Sequence, residues 1–177
     1  MTNYIYIATS LDGFISTSDG SLDWLEEIPY PDKSDFGFTE FLKNVDALVM
    51  GRKTFEKVLT FESWPYDKPV FVLSRSRRKV PKELEGKVEI LQGDPKIVVE
   101  QLKKLGHQNL YIDGGITIQN FLEEDLIDEM IITTVPVLLG DGIPLFNKLS
   151  QRLKFSYLKT EVISNILVKN HYIRKQK

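Results

Sequence analysis

A chain of 177 residues, 42% apolar and 11% aromatic, can bury one substantial core and is short for two ordinary domains. Its 23 basic and 25 acidic residues leave a net charge of −2, which argues against nucleic acid or an anionic membrane surface as a general partner. Without cysteine there is no disulfide framework and no thiolate metal site.

The N-terminus runs directly into "YIYIAT" (Tyr4 to Thr9), β-branched and aromatic as a strand requires. It carries no charged leader, and no window reaches the roughly 18 apolar residues of a membrane span, so a cytoplasmic protein is expected. A polar passage follows, "SLDGFISTSDGSLDW", too long for a simple turn, and ordered loops of that length are often functional. From Ser34, a candidate N-cap, Phe38, Phe41, Leu42 and Val45 recur at helical spacing. "DALVM" then reads as a buried strand, "RKTFEKVL" as a helix with Phe55, Val58 and Leu59 on one face, and "KPVFVLSRS" as another strand. "GDPKIVVEQLKKLG" is fully punctuated as a helix, with Asp94 as cap, Pro95 in the first turn and Gly106 past the end. "NLYID" is a strand, "GG" a break, "ITIQNFLEEDL" a helix, and "DEMIITTVPVLL" one long strand closed by "GDG". The tail reads as two strands joined around Ser164 and Asn165, an antiparallel edge hairpin. Alternating strand and helix, with no linker or repeat, predicts one α/β domain over residues 1–177: a mostly parallel central sheet with helices on both faces.

Ligands of open α/β sheets sit beyond the carboxyl ends of the strands. Three exits here carry unusual residues: Gly51-Arg52-Lys53-Thr54, Ser74-Arg75-Ser76 and Gly114-Gly115-Ile116-Thr117. A glycine at a strand end admits phosphate close to the backbone, a helix start offers free N–H groups, and an arginine among hydroxyls suits a ribose 2′-phosphate. Taken singly, the first is equally well a tight turn with a solvated first helical turn, the glycine pair a simple strand-to-helix turn, and the run Arg75, Arg77, Arg78, Lys79 an exposed face; three exits in one short chain point to a dinucleotide. Neither G-x-G-x-x-G nor G-x-x-x-x-G-K-[ST] occurs, which argues against the ordinary Rossmann and P-loop arrangements. Asp113 either orients the glycine loop or caps the following helix. His107 and His171 are expected at the surface, without metal-ligand partners. Asp12, Asp19 and Asp23 lack the spacing of a calcium loop and are expected to form turns with their own backbone. Trp64, beside Pro65, is expected to pack half-buried.

"ALVMGRKTFEKV", "PVFVLSRS", "IDGGITIQNFL" and "TTVPVLLGDGIPLF" follow one another as in the dihydrofolate-reductase-like superfamily, which the chain resembles from about Tyr4 to Tyr172. "SLDGFISTSDGSLDW" is most similar to the branch holding the reductase domain of bifunctional riboflavin-biosynthesis proteins and its stand-alone relatives. The resemblance implies a three-layer α/β/α fold, NADPH as cofactor, and a homodimer. It implies that Gly51, Arg52, Lys53 and Thr54 take phosphates of the adenine half, that Ser74, Arg75 and Ser76 lie near the 2′-phosphate, and that Gly114, Gly115, Ile116 and Thr117 cradle the pyrophosphate. Leu11, Asp12, Gly13 and Ile15 would run along the nicotinamide.

The implied reaction is hydride transfer to a C=N or C=O carbon of a pteridine, a pyrimidine or a small carbonyl compound, including 5-amino-6-(5-phosphoribosylamino)uracil. The cofactor supplies the hydride and the protein aligns atoms and delivers a proton. Asp35, sixteen residues before Gly51, is the candidate donor if half-buried against Phe36, Phe38 and Trp24 with a raised pKa; an acid opening a helix is equally explained by the helix dipole. Trp24 and Phe38 are candidates to line the substrate pocket. Two departures bear on the substrate. "LEEIPYPDKS" is inserted after Trp24 relative to dihydrofolate reductases, and Phe14 stands where the riboflavin-pathway reductases usually carry lysine after "SLDG". The alternative function is a non-catalytic NADP(H)-binding or sensor module on the same fold.

Overall fold

The computed structural model describes residues 1–26, 35–76 and 79–175. In chain order the elements are β1 (Thr2–Thr9), β2 (Phe14–Ser16), α1 (Asp23–Glu26), α2 (Phe38–Leu42), β3 (Ala47–Gly51), α3 (Arg52–Val58), β4 (Val70–Leu73) and β5 (Val88–Leu91). They continue as α4 (Pro95–Lys104), β6 (Asn109–Asp113), α5 (Gly115–Glu123), β7 (Glu129–Thr134), β8 (Ile143–Pro144), β9 (Phe155–Ile163) and β10 (Leu167–Arg174). Eight strands form one sheet in the order β5-β4-β3-β6-β1-β7-β10-β9, and β2 pairs with β8 in a small second sheet. The six strands from β5 to β7 are parallel; β10 runs antiparallel to β7 and β9 antiparallel to β10.

Side chains alternate across this sheet, so each buried strand serves two cores. Leu48 and Met50 face one way, with Phe41, Phe55, Val70, Val72 and Tyr111, under α2 and α3. Val49 faces the other way, with Ile5, Phe71, Ile112, Val98, Leu102, Ile118 and Phe121, under α4 and α5. Ile118 and Phe121 are fully buried; burial of a side chain of that size stabilises the fold by about 1.5–3 kcal/mol.

The punctuation of α4 is as expected: Asp94 Oδ1 accepts the Lys96 N–H at 3.0 Å, Pro95 opens the helix, and Gly106 takes φ 95° beyond its end. The tail hairpin also forms, with Ile163 paired to Leu167 across a three-residue connection in which Ser164 and Asn165 are both left-handed at φ 53° and 55°.

Two expectations are corrected and one strand is added. The long strand of "DEMIITTVPVLL" ends at Thr134. Val135 N–H still reaches Thr9 O at 2.8 Å, but Pro136 has no N–H to continue a ladder. "KVEIL", unassigned from sequence, supplies the edge strand β5 in register with β4. The helix expected from Ser34 opens only at Phe38; Ser34 itself lies outside the described residues. Ahead of it, Phe36 and Gly37 form a left-handed turn at φ 55° and 86°, and Asp35 accepts the N–H groups of Gly37 and Thr39 at 2.9 and 2.8 Å.

Candidate functional site

Because β3 and β6 are hydrogen-bonded neighbours, with Met50 opposite Asp113, the exits carrying Gly51 and Gly114 lie side by side. Each loop sets a threonine on the other's glycine. A Cβ at Gly51 would come 2.8 Å from Thr117 Oγ1, and one at Gly114 would run into Thr54 Oγ1. Gly114 also sits at φ 86°, where a side chain is strained. A Cβ at Gly115 would meet Ile15 Cδ1 at 2.6 Å, so β2 closes on the same junction. The two strand exits are thus packed into one junction at the start of α5, with neighbouring side chains close against all three glycines. Ile116 is 61% exposed beside it, while Thr117 is buried.

The third exit joins through Arg52. Its Nη1 donates to Ser76 Oγ at 3.2 Å and its Nε to Glu56 Oε1 at 2.8 Å, so the guanidinium bridges the starts of two loops. Ser74 Oγ donates to Ser76 O at 3.0 Å, and Gln92 Nε2 donates to Arg75 O at 3.0 Å, leaving the Arg75 side chain exposed. Lys53 is exposed as well. Arg77 and Arg78 lie outside the described residues. Arg52, Ser74, Arg75 and Ser76 thus lie together where β3 and β4 end side by side.

In the "SLDG" loop the Asp12 side chain does other work than expected. Its Oδ2 accepts the Gly140 N–H at 2.8 Å, and its Oδ1 accepts the Leu139 N–H at 3.2 Å and the Ser10 hydroxyl at 2.6 Å. These bonds hold its carboxyl below the usual range, the Ser10 hydroxyl foremost. Leu11 N donates to Val137 O at 2.8 Å and Leu145 N to Gly13 O at 3.0 Å. Asp12 therefore ties the β1–β2 loop to the run after β7, and its carboxylate is taken up by that tether. Asp19, in contrast, closes its own turn by accepting Ser21 N–H at 3.0 Å.

The acids are distributed otherwise than the sequence suggested. Asp35 is exposed, and its bonds to Thr39 and Gly37 hold its carboxyl below the usual carboxylate range, so the half-buried acid with a raised pKa is not found there. Asp113 has that character instead. Burial pushes its carboxyl up against the opposing pull of the Gly114 N–H, 2.8 Å from Oδ1, and of the Tyr111 hydroxyl. Burial, with the Asp113 charge second, also raises the Tyr66 phenol. The sequence signal for Asp113 is an acid closing an apolar strand directly before a glycine pair, which by itself points only to an orienter or a cap.

Phe38 packs over this group, its ring 5.6 Å from Tyr6 and 5.9 Å from Tyr111. Trp24 belongs to a different cluster, with Val135 and Leu167, and lines an open cleft of about 570 Å³ with Thr17, Ser18, Asp19, Ser21, Asp23 and Asp141. Trp64 is half-buried as expected, edge-on to Phe55 and Tyr66. The histidines are not simple surface residues: His107 packs edge-on against Phe71, and His171 Nε2 lies 2.7 Å from Glu129 Oε2. Among the described residues no helix is long and apolar enough to cross a membrane.

Comparison with solved structures gives the same architecture. A Shewanella sp. PV-4 protein named for riboflavin biosynthesis is 50% identical, covers 99% of this chain and 100% of its own, and superposes with a TM-score of 0.95. The bifunctional deaminase and 5-amino-6-(5-phosphoribosylamino)uracil reductase of Thermotoga maritima covers 98% of this chain with 56% of its own at 17% identity and a TM-score of 0.76. The dihydrofolate reductase of Enterococcus faecalis, in complex with NADP(H), covers 99% of this chain and 97% of its own at 15% identity and a TM-score of 0.68. The fold is therefore the dihydrofolate-reductase-like α/β fold, and, since the model of the RibD C-terminal domain matches residues 4–169, the chain belongs to the RibD C-terminal domain family.

Proposed function

We propose that this protein is an NADPH-dependent reductase that delivers hydride to a pteridine, a pyrimidine or a related small carbonyl or imine compound. The observation that carries the reading is the reciprocal seating of Thr54 on Gly114 and Thr117 on Gly51, which brings two glycine strand exits and the start of α5 together where a pyrophosphate would take backbone N–H groups. Arg52, Ser74, Arg75 and Ser76 support a phosphate-bearing adenine half beside it. Its family membership and the NADP(H) complex of the Enterococcus faecalis enzyme support the choice of cofactor.

Bound NADPH would supply the hydride. The chain's own part is to hold the phosphates on glycine backbone, to place the "SLDG" loop along the nicotinamide, and to offer a proton. For the proton we assign Asp113, whose raised pKa and position at the central strand end suit a general acid better than exposed Asp35 does. The uracil reductase named in the Thermotoga maritima protein supports a pyrimidine of the riboflavin route as one substrate to try. Phe14 at the position after "SLDG" leaves that substrate without one polar contact.

The test is titration of the tryptophan fluorescence of wild-type protein and Arg75→Ala with NADPH and NADH. Wild-type protein should prefer NADPH. Removing a charged partner of the 2′-phosphate should cost roughly 1.5–3 kcal/mol, about ten- to a hundredfold in Kd for NADPH alone. Equal affinity for both cofactors would refute the 2′-phosphate assignment. NADPH binding with no oxidation across a pteridine and pyrimidine panel would leave a binding module in place of a reductase.

A further inference from the structure

Phe36 is a bulky residue held at φ 55°, next to Gly37 at φ 86°. Such strain in a non-glycine residue persists only where its surroundings over-determine it, and it concentrates at ligand-handling positions. Two donors from different strands converge on the Phe36 carbonyl: the Tyr6 hydroxyl of β1 at 2.6 Å and the Lys169 ammonium of β10 at 3.1 Å. The turn is seated so closely that a Cβ at Gly37 would come 3.4 Å from Lys169 Nζ and 3.7 Å from Tyr6 Oη. Lys169 is only 13% exposed and is itself balanced by Glu161 at 2.8 Å, which Lys159 holds in turn at 2.6 Å. Burial of an ammonium is tolerated where it is paired in this way. In register, Ala8, Thr133 and Lys169 stand in one row across β1, β7 and β10. That row lies on the sheet face that carries Tyr6 and Tyr111 under Phe38, with Asp113 two residues beyond Tyr111.

We propose that Lys169 is a positioning residue for the substrate side of the crevice: through the Phe36 carbonyl it fixes the left-handed turn and thereby the height of α2 over the floor formed by Tyr6, Tyr111 and Asp113. The proposal rests on the reductase reading for its substrate but not for its geometry. Loss of the ammonium leaves the glycine junction at the ends of β3 and β6 untouched and lets α2 drift, so substrate capture suffers and cofactor capture does not.

Lys169→Met keeps the stem and removes donor and charge; Lys169→Arg keeps both. With 5-amino-6-(5-phosphoribosylamino)uracil and dihydrofolate as probes, KM in Lys169→Met should rise roughly tenfold while kcat stays within about threefold and the Kd for NADPH within about twofold. Lys169→Arg should recover much of the loss. Amide exchange at Gly37, Phe38 and Thr39 should quicken in Lys169→Met, with Gly114 to Thr117 unchanged. An unchanged KM, or parallel losses in KM, NADPH affinity and Tm, would overturn the proposal. Should neither probe turn over in wild-type protein, the reductase reading falls separately; unaltered exchange at Gly37 and Thr39 would then sink the clamp as well, and quickened exchange would uphold it.

Discussion

Thr117 Oγ1 stands where it would be 2.8 Å from any β-carbon placed on Gly51, and Gly51 itself has an ordinary φ of −77°. Its glycine is therefore demanded by the neighbouring loop and by no backbone strain of its own. Gly51→Ala should destabilise the fold by about 1–3 kcal/mol through overpacking. Gly51→Ala combined with Thr117→Ala should recover most of that loss in a double-mutant cycle of urea unfolding. Cofactor affinity should not return, since the double variant also lacks the Thr117 hydroxyl; recovery of NADPH binding along with stability would show that this junction is not the phosphate site.

Asp12 governs a contact across 128 residues of chain, with Gly140. Asp12→Ala removes the acceptor of the Leu139 and Gly140 N–H groups, so the loop after β7 should loosen while the central sheet keeps its stability. The expected readout is a roughly tenfold weaker Kd for NADPH with Tm little changed. Asp12→Asn, which keeps one carbonyl acceptor, should fall between the two. Wild-type affinity in Asp12→Ala would show that the tether has no part in ligand binding.

How much of this is legible in the sequence follows from range. β3 with α3, and β6 with α5, are readable because an apolar run meets a glycine and a helical face within a dozen residues. The interlock of Thr54 with Gly114 is not, because it depends on β3 and β6 becoming neighbours, which strand order alone decides. Asp12 has the sequence setting of a local turn former, yet its partners include backbone amides 127 and 128 residues away, and amides leave no trace in residue type. Asp35 goes the other way. The burial expected of it required contacts from the sheet, while the local explanation, an acid binding the N–H groups that open a helix, needs only its neighbours Gly37 and Thr39 and is what forms.

Asp113 sets stability against chemistry. Its carboxyl is pushed up by burial, so between its unfolded pKa near 3.9 and the raised folded value the native state binds more protons than the unfolded chain. Stability therefore falls as pH rises through that window. Asp113→Asn keeps an oxygen for the Gly114 N–H and removes the buried charge, and should therefore raise Tm at neutral pH. The same variant should lose about a hundredfold or more in turnover. A variant less stable at pH 7 than wild-type protein would mean that the carboxylate is well solvated or paired in the native state.

Glu161 carries the opposite sign. The Lys159 and Lys169 ammoniums hold its carboxyl down, from the usual value near 4.5 to about 2. A carboxylate depressed in the native state contributes stability that is fully present above the unfolded pKa and is lost as pH falls through the folded one. The window is therefore pH 4.5 to about 2, and because the pair is partly exposed, solvent screening leaves the effect well below the full linkage value. Urea midpoints measured across that window should decline more steeply for wild-type protein than for Glu161→Gln. Added salt should shrink the difference, since screening weakens an exposed pair. Parallel declines would show that Lys169 is held by the Phe36 carbonyl alone, with Glu161 a bystander on the edge strand.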